Sequence, residues 1–119
     1  MAEQAGSSTT RGFRVHCYER DNAVVAECHG RLTFENIGEL KDAIREKIPV
    51  VKRLVIDLQE VPQMDSSGLG AVVGLYVSAR TKGCRVEVVN ASKQIRDLFS
   101  MTNMLSLFEA AGRHHGKTI

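Results

Sequence analysis

Apolar positions along the chain recur with two different periods, and the changes of period mark its elements. Phe13-Arg14-Val15-His16-Cys17-Tyr18 alternates apolar and polar residues, the two-residue repeat of a half-buried strand. Asp21-Asn22 is a turn signal, and Ala23-Val24-Val25-Ala26-Glu27-Cys28 reads as a second strand closing a hairpin that Gly30 ends. The spacing then changes to three and four. Phe34, Ile37, Leu40, Ala43, Ile44 and Ile48 fall on one stripe, with Glu35, Glu39, Lys41, Asp42, Arg45 and Glu46 between them, which predicts an amphipathic helix. Thr33 is placed to cap its N-terminus, Asn36 stands where a capping box would have Glu, and Pro49 closes it.

Leu54-Val55-Ile56-Asp57-Leu58 is nearly continuous in apolar residues, the pattern of a strand covered on both faces in a sheet with parallel pairs. A loop follows, Val61-Pro62-Gln63-Met64-Asp65-Ser66-Ser67-Gly68. After it Leu69, Val72, Val73, Tyr76, Val77 and Arg80 predict a second helix beginning near Ser67, with Gly83 at its C′ position. Val86-Glu87-Val88-Val89 is another strand. Asn90 or Ser92 caps a third helix with Ile95, Leu98 and Phe99 on one face, Asn103 stops it, and Met104 to Phe108 predict a last short strand. The order is β-β-α-β-α-β-α-β. Crossovers of this length make the connected strands parallel, so the expected fold is a single α/β domain over 12–110, a mixed β-sheet with helices packed against it. The polar segments 1–11 and 111–119 are expected to be flexible tails.

Composition narrows the function classes. The chain has 119 residues, 43% hydrophobic and 25% charged, which is one globular domain. A net charge of +2 with scattered basic residues and no aromatic-basic stripe argues against nucleic acid. Cys17, Cys28 and Cys84 contain no C-x-x-C pair and lie in or beside predicted strands, so they read as buried thiols in a reducing compartment. The first residues lack a basic and then apolar signal-peptide pattern, and no apolar run approaches the roughly 18 residues of a membrane span, so the expectation is a soluble, cytoplasmic protein without a membrane partner. His16, His29, His114 and His115 stand outside metal-ligand spacings. Gly68 and Gly70 are followed by no Gly-Lys-Ser/Thr, so no phosphate-binding loop and no cofactor site is expected. Asp57, inside an apolar strand, needs partners and is expected to find them near the strand end. Lys52-Arg53 reads as a solvated strand entrance.

The candidate site is the turn out of the Leu54–Leu58 strand. Sites in α/β domains collect at the carboxyl ends of strands beside helix N-termini. Here that address holds Met64, Asp65, Ser66, Ser67, Gly68 and Leu69. A phosphate on a hydroxyl there is favoured by the free N–H groups of the first turn and by the helix dipole. Taken alone, either serine also reads as an ordinary capping residue worth about 1 kcal/mol.

The stretch Leu54–Gly70 closely resembles the signature of the STAS family of anti-sigma factor antagonists. The likeness continues through Lys82–Asn90, Ile95–Phe99 and Leu105–Glu109, and Gly30-Arg31-Leu32-Thr33 resembles the family's motif leading into its first helix. It covers roughly Phe13 to Glu109. The resemblance implies that Ser66, the serine directly after the motif's Asp, is phosphorylated by a partner anti-sigma factor that is itself a kinase and brings ATP and Mg. It implies further that the unphosphorylated protein binds that partner and frees the sigma factor, that the phosphorylated form does not, and that a phosphatase resets the switch. Thr33 stands where many phosphorylated members carry Asp, which removes a negative charge near Ser66. A non-switching STAS module, a stressosome scaffold or the cytosolic subunit of a lipid-transport system, therefore remains a second reading. An enzyme using Ser66 or Ser67 as nucleophile is a third and weaker one, because no G-x-S-x-G elbow accompanies the serines.

Overall fold

Strand pairing begins earlier than the alternation announces. In the computed structural model, which describes residues 7–10, 12–45 and 51–102, β1 (Ser7–Thr10) pairs antiparallel with β2 (Phe13–Arg20). The flexible tail expected over the first eleven residues is thus corrected at Ser7–Thr10. Ser-Ser-Thr-Thr carries no apolar alternation to read, but an edge strand needs only backbone pairing, and polar residues suit an edge. Asp21 (φ 53°) and Asn22 (φ 65°) are both left-handed, the geometry of a two-residue hairpin turn, and they join β2 to β3 (Ala23–His29) with Arg20 facing Ala23.

Two crossovers then build the parallel part. α1 (Ile37–Arg45) leads to β4 (Arg53–Glu60), which pairs parallel with β3; α2 (Ser66–Thr81) leads to β5 (Arg85–Val89), parallel with β4. α3 (Lys93–Met101) follows. The five strands lie in the order β1-β2-β3-β4-β5, one mixed sheet, as expected. The last strand expected at Met104–Phe108, the stop at Asn103, the helix closure at Ile48 and Pro49 and the tail 111–119 lie outside the described residues.

One core holds the elements together. Val15 and Cys17 of β2, Ala26 and Cys28 of β3, Leu54, Ile56 and Leu58 of β4, and Val86 and Val88 of β5 are buried against Leu40 and Ile44 of α1, Leu69, Val72, Leu75 and Tyr76 of α2, and Ile95 and Phe99 of α3. β4 departs from the sequence expectation. Its burial alternates, with Val55 and Asp57 only half-buried between fully buried neighbours. The three helices supply one face of the sheet, so Val55 in the apolar run marks a row on the other face, where it lies between Val25 and Glu87. Arg53 is likewise more than a solvated entrance: its Nε lies 3.1 Å from Glu87 Oε2, and that carboxylate is 3% exposed.

The helix ends follow local chemistry. α2 closes in a Schellman motif, with Gly83 (φ 79°) donating to Arg80 O and Cys84 N donating to Ala79 O. Ser92 caps α3 through its hydroxyl, which accepts from Ile95 N at 3.2 Å. Asn90, the other candidate, is left-handed and donates its side-chain amide to Asp57 instead. The three cysteines are buried thiols outside any disulfide, and burial pushes the Cys28 thiol far above its ordinary range and raises Cys84 as well. A raised value keeps the unreactive thiol form at mildly basic pH. At pH 8 an alkylating reagent should therefore label none of Cys17, Cys28 and Cys84 in the folded protein and all three in denaturant, read by intact-mass spectrometry; rapid labelling of the folded chain would contradict this packing.

Candidate functional site

Beyond the β3–β4 pairing, two loops continue side by side. Gly30 N donates to Glu60 O, Leu32 N to Gln63 O and Asp65 N to Leu32 O, and Leu32 and Met64 form an isolated parallel bridge. The sheet thereby extends as a narrow zipper to the N-terminus of α2. Gly30 is needed at its base: φ is 106°, and a Cβ there would run into the Gly12 carbonyl oxygen.

At the end of the zipper Asp65 is the N-cap of α2. Its Oδ1 accepts from Gly68 N at 2.9 Å, and its Oδ2 accepts from Phe34 N at 3.2 Å. One carboxylate thus fastens the helix to the opposite loop. The helix starts at Ser66, beside the start expected near Ser67, and the expectation that one of the serines supplies its cap is corrected. Asp, Ser and Ser stand consecutively and all rank among preferred caps. The loop-to-loop bond to Phe34 is made by Asp65, whose own N–H donates to Leu32 O. Ser66 becomes the first helical residue and is exposed, while Ser67 is half-buried behind it.

The opposite loop also differs from expectation. Thr33 does not cap a helix starting at Phe34. Thr33 O accepts from Asn36 N and Ile37 N, closing a turn, and α1 starts at Ile37. Phe34 leaves the apolar stripe and is 68% exposed, and its N–H donates to Asp65. Thr33 is half-buried beside it.

Two residues hold this arrangement: Gly68, already among the expected site residues, and Asn36, which the sequence did not mark as one. Gly68 is buried, and a Cβ on it would overlap the Leu32 carbonyl oxygen and come within 2.7 Å of Met64 Cγ. Its neighbour Leu69 is buried in the core and anchors the same turn. Asn36 is 3% exposed, its Nδ2 donates to Arg31 O at 2.7 Å, and its Oδ1 has no donor among the described residues. The hydrogen bond that this side chain is seen to make goes to the loop carbonyl that precedes Leu32. An Asn three residues after Thr33 is the signal; it was weighed only as a missing capping-box Glu.

Elsewhere, Asp57 finds its partners near the strand end, accepting from Gln59 N at 3.0 Å and Asn90 Nδ2 at 3.1 Å. His29 Nε2 lies 3.5 Å from Glu27, and His16 stacks obliquely on Tyr18. No described helix is long and apolar enough to cross a membrane.

The comparisons agree with this architecture. The model of the STAS domain matches residues 14–117. The chain belongs to the STAS domain family. Among its relatives, a STAS-domain containing protein of Pseudomonas aeruginosa is 26% identical over 83 residues, covering 70% of this chain and 82% of that protein. The anti-sigma-B factor antagonist of Bacillus subtilis is 30% identical over 77 residues, covering 61% of this chain and 71% of the relative. Among solved structures, an anti-sigma factor antagonist of Mycobacterium paratuberculosis has the same fold, with a TM-score of 0.72, 19% identity and 91% and 87% of the two chains covered. The Bacillus cell fate determinant SpoIIAA in its phosphorylated form gives a TM-score of 0.64 at 22% identity over 79% of this chain and 86% of that one.

The capping geometry sets the cost of two substitutions. Asp65→Ala removes a cap worth about 1 kcal/mol and also the link to Phe34. Gly68→Ala gains about 1 kcal/mol of helix propensity but overpacks the loop contact, a cost of about 1–3 kcal/mol. Both variants should melt below the wild type by circular dichroism, and a Gly68→Ala chain more stable than wild type would show that the loops do not approach this closely.

Proposed function

We propose that this STAS domain is an anti-sigma factor antagonist, acting in the cytoplasm, whose binding to a kinase-type anti-sigma factor is switched off by phosphorylation of Ser66 and restored by a phosphatase. The observation that carries the reading is the exposed Ser66 hydroxyl at the first position of a helix whose cap is supplied by another residue. Modification there leaves the cap in place. The first turn of α2 contains no acidic side chain, so the helix dipole favours a phosphate there even though the Gly68 N–H is committed to Asp65.

A phosphoserine brings about −1.5 to −2 charges and three acceptor oxygens beside the Asp65 carboxylate. Repulsion from Asp65 opposes the helix N-terminus, so the energy of the fold changes little while the surface around Ser66 becomes much more negative. Loss of partner binding then follows from charge and bulk at the contact surface. The relation to anti-sigma-B factor antagonists supports the partner class. Asp65 is poorly suited to serve as a base for a serine nucleophile, because each of its oxygens already accepts a backbone N–H.

Ser66→Asp should weaken binding to the host's kinase-type anti-sigma factor at least tenfold, about 1.4 kcal/mol, while Ser66→Ala binds as the wild type does. Asp in a first helical turn contributes favourably by about 0.3–1 kcal/mol, so the Asp variant should melt no lower than wild type. Incubation with the partner and ATP should place phosphate on Ser66 by mass spectrometry. Phosphate elsewhere, or stable binding with no phosphorylation, would overturn the switch and favour the non-switching module, to which Thr33 in place of an Asp also points.

A further inference from the structure

We propose that Asn36 is the positioning residue of the site: its buried side chain sets the β3–α1 loop at the height at which Leu32 and Phe34 meet Asp65, and so fixes how Ser66 is presented. The proposal rests on the reading of Ser66 as the switch and names the residue that holds it in register.

Asn36 sits at the end of the turn that opens α1, and its backbone carbonyl accepts from Glu39 N and Leu40 N. Its side chain reaches back five residues, and Nδ2 donates to Arg31 O at 2.7 Å. Arg31 immediately precedes Leu32, whose carbonyl accepts from Asp65 N at 3.3 Å. Two residues further on, Phe34 N donates to Asp65 Oδ2. Both of these hydrogen bonds between the loop and the N-terminus of α2 therefore lie between the two ends that Asn36 ties together. Gly68 permits the approach by having no side chain, and Asn36 decides where the approaching loop stands.

The remaining polar atom argues that the role is placement. Asn36 Oδ1 is buried with no donor among the described residues, so the side chain's hydrogen bond among them is the one from Nδ2 to Arg31 O. A residue there solely to fill the core would be better as Leu. The side-chain amide is the one feature of Asn that Leu lacks, and it is spent on a loop carbonyl beside the site.

The test needs no partner at its first stage. Amide hydrogen exchange of the full chain is followed by NMR for wild type, Asn36→Leu and Asn36→Ala. In both variants the amides of Phe34 and Gly68, which bond to Asp65, should exchange at least tenfold faster, while core amides such as Ala26 and Ile56 keep their wild-type rates. Unchanged rates at Phe34 and Gly68, or acceleration equal to that of the core, would overturn the proposal. Should either variant fold poorly, the wild type decides: the Asn36 side-chain amide protons should exchange far more slowly than those of the exposed Asn22, and equal rates overturn it. At the second stage, Asn36→Leu should lower the rate of Ser66 phosphorylation by the anti-sigma factor at least fivefold. If Ser66→Asp abolishes binding but Asn36→Leu is phosphorylated at the wild-type rate, positioning fails and the switch stands. If Ser66 is never phosphorylated, the switch itself fails, and the exchange result still judges Asn36.

Discussion

The Asp65 carboxylate accepts one backbone N–H from its own helix and one from a loop 31 residues away in sequence, and the rest of the site depends on that pair of bonds. A carboxylate suits this place because it has acceptor capacity on two oxygens, whereas a serine hydroxyl in the same position has one oxygen to offer. The bond to Gly68 N satisfies a first-turn donor that no helical carbonyl can reach. The bond to Phe34 N ties the loop that precedes α1 to the start of α2. A single side chain thus caps one helix and anchors the approach to the other.

That pairing in turn requires the loops to be close, and closeness is a property of the sheet. β3 and β4 are parallel neighbours whose ladder shifts register after Glu27 and continues as single bonds through Gly30, Leu32 and Asp65. Parallel neighbours bring the same ends of two strands together, so the two following loops necessarily lie side by side. Each glycine in this region serves that approach differently. Gly30 supplies a backbone angle and room for the Gly12 carbonyl, and Gly68 supplies room for the Leu32 carbonyl.

Much of this was legible in the residues. The hairpin, three helices, mixed sheet and strand-to-helix address of the serines follow from period, turn chemistry and crossover length. The errors share a cause: the residue-level pattern was ambiguous wherever tertiary partners decide. Leu54–Leu58 reads as doubly covered because Val55 is apolar on either face. α2 is apolar nearly all round, so its stripe was drawn through Val77, which is 53% exposed, instead of through Leu75 and Ala79. Asp65, Ser66 and Ser67 are all good caps, and only the contact with Phe34 chooses among them. Ser7–Thr10 has no pattern to read. Thr33 was given a capping role that belongs, one turn later, to backbone carbonyls.

The same geometry bears on how a charge could be added here without disturbing the domain. A phosphate on a capping serine would rearrange the bonds that hold the helix start at every cycle of modification. With Asp65 as the cap, the neighbouring hydroxyl is relieved of that duty. It lies outside the zipper, exposed, on a helix turn whose position is fixed from below by Leu69 in the core and from the side by Leu32, Phe34 and Asn36. A group placed on Ser66 therefore meets a rigid surface. Under the proposed switch, its effect is confined to what an approaching partner encounters, and a rigid platform is what converts a local change of charge into a difference in affinity.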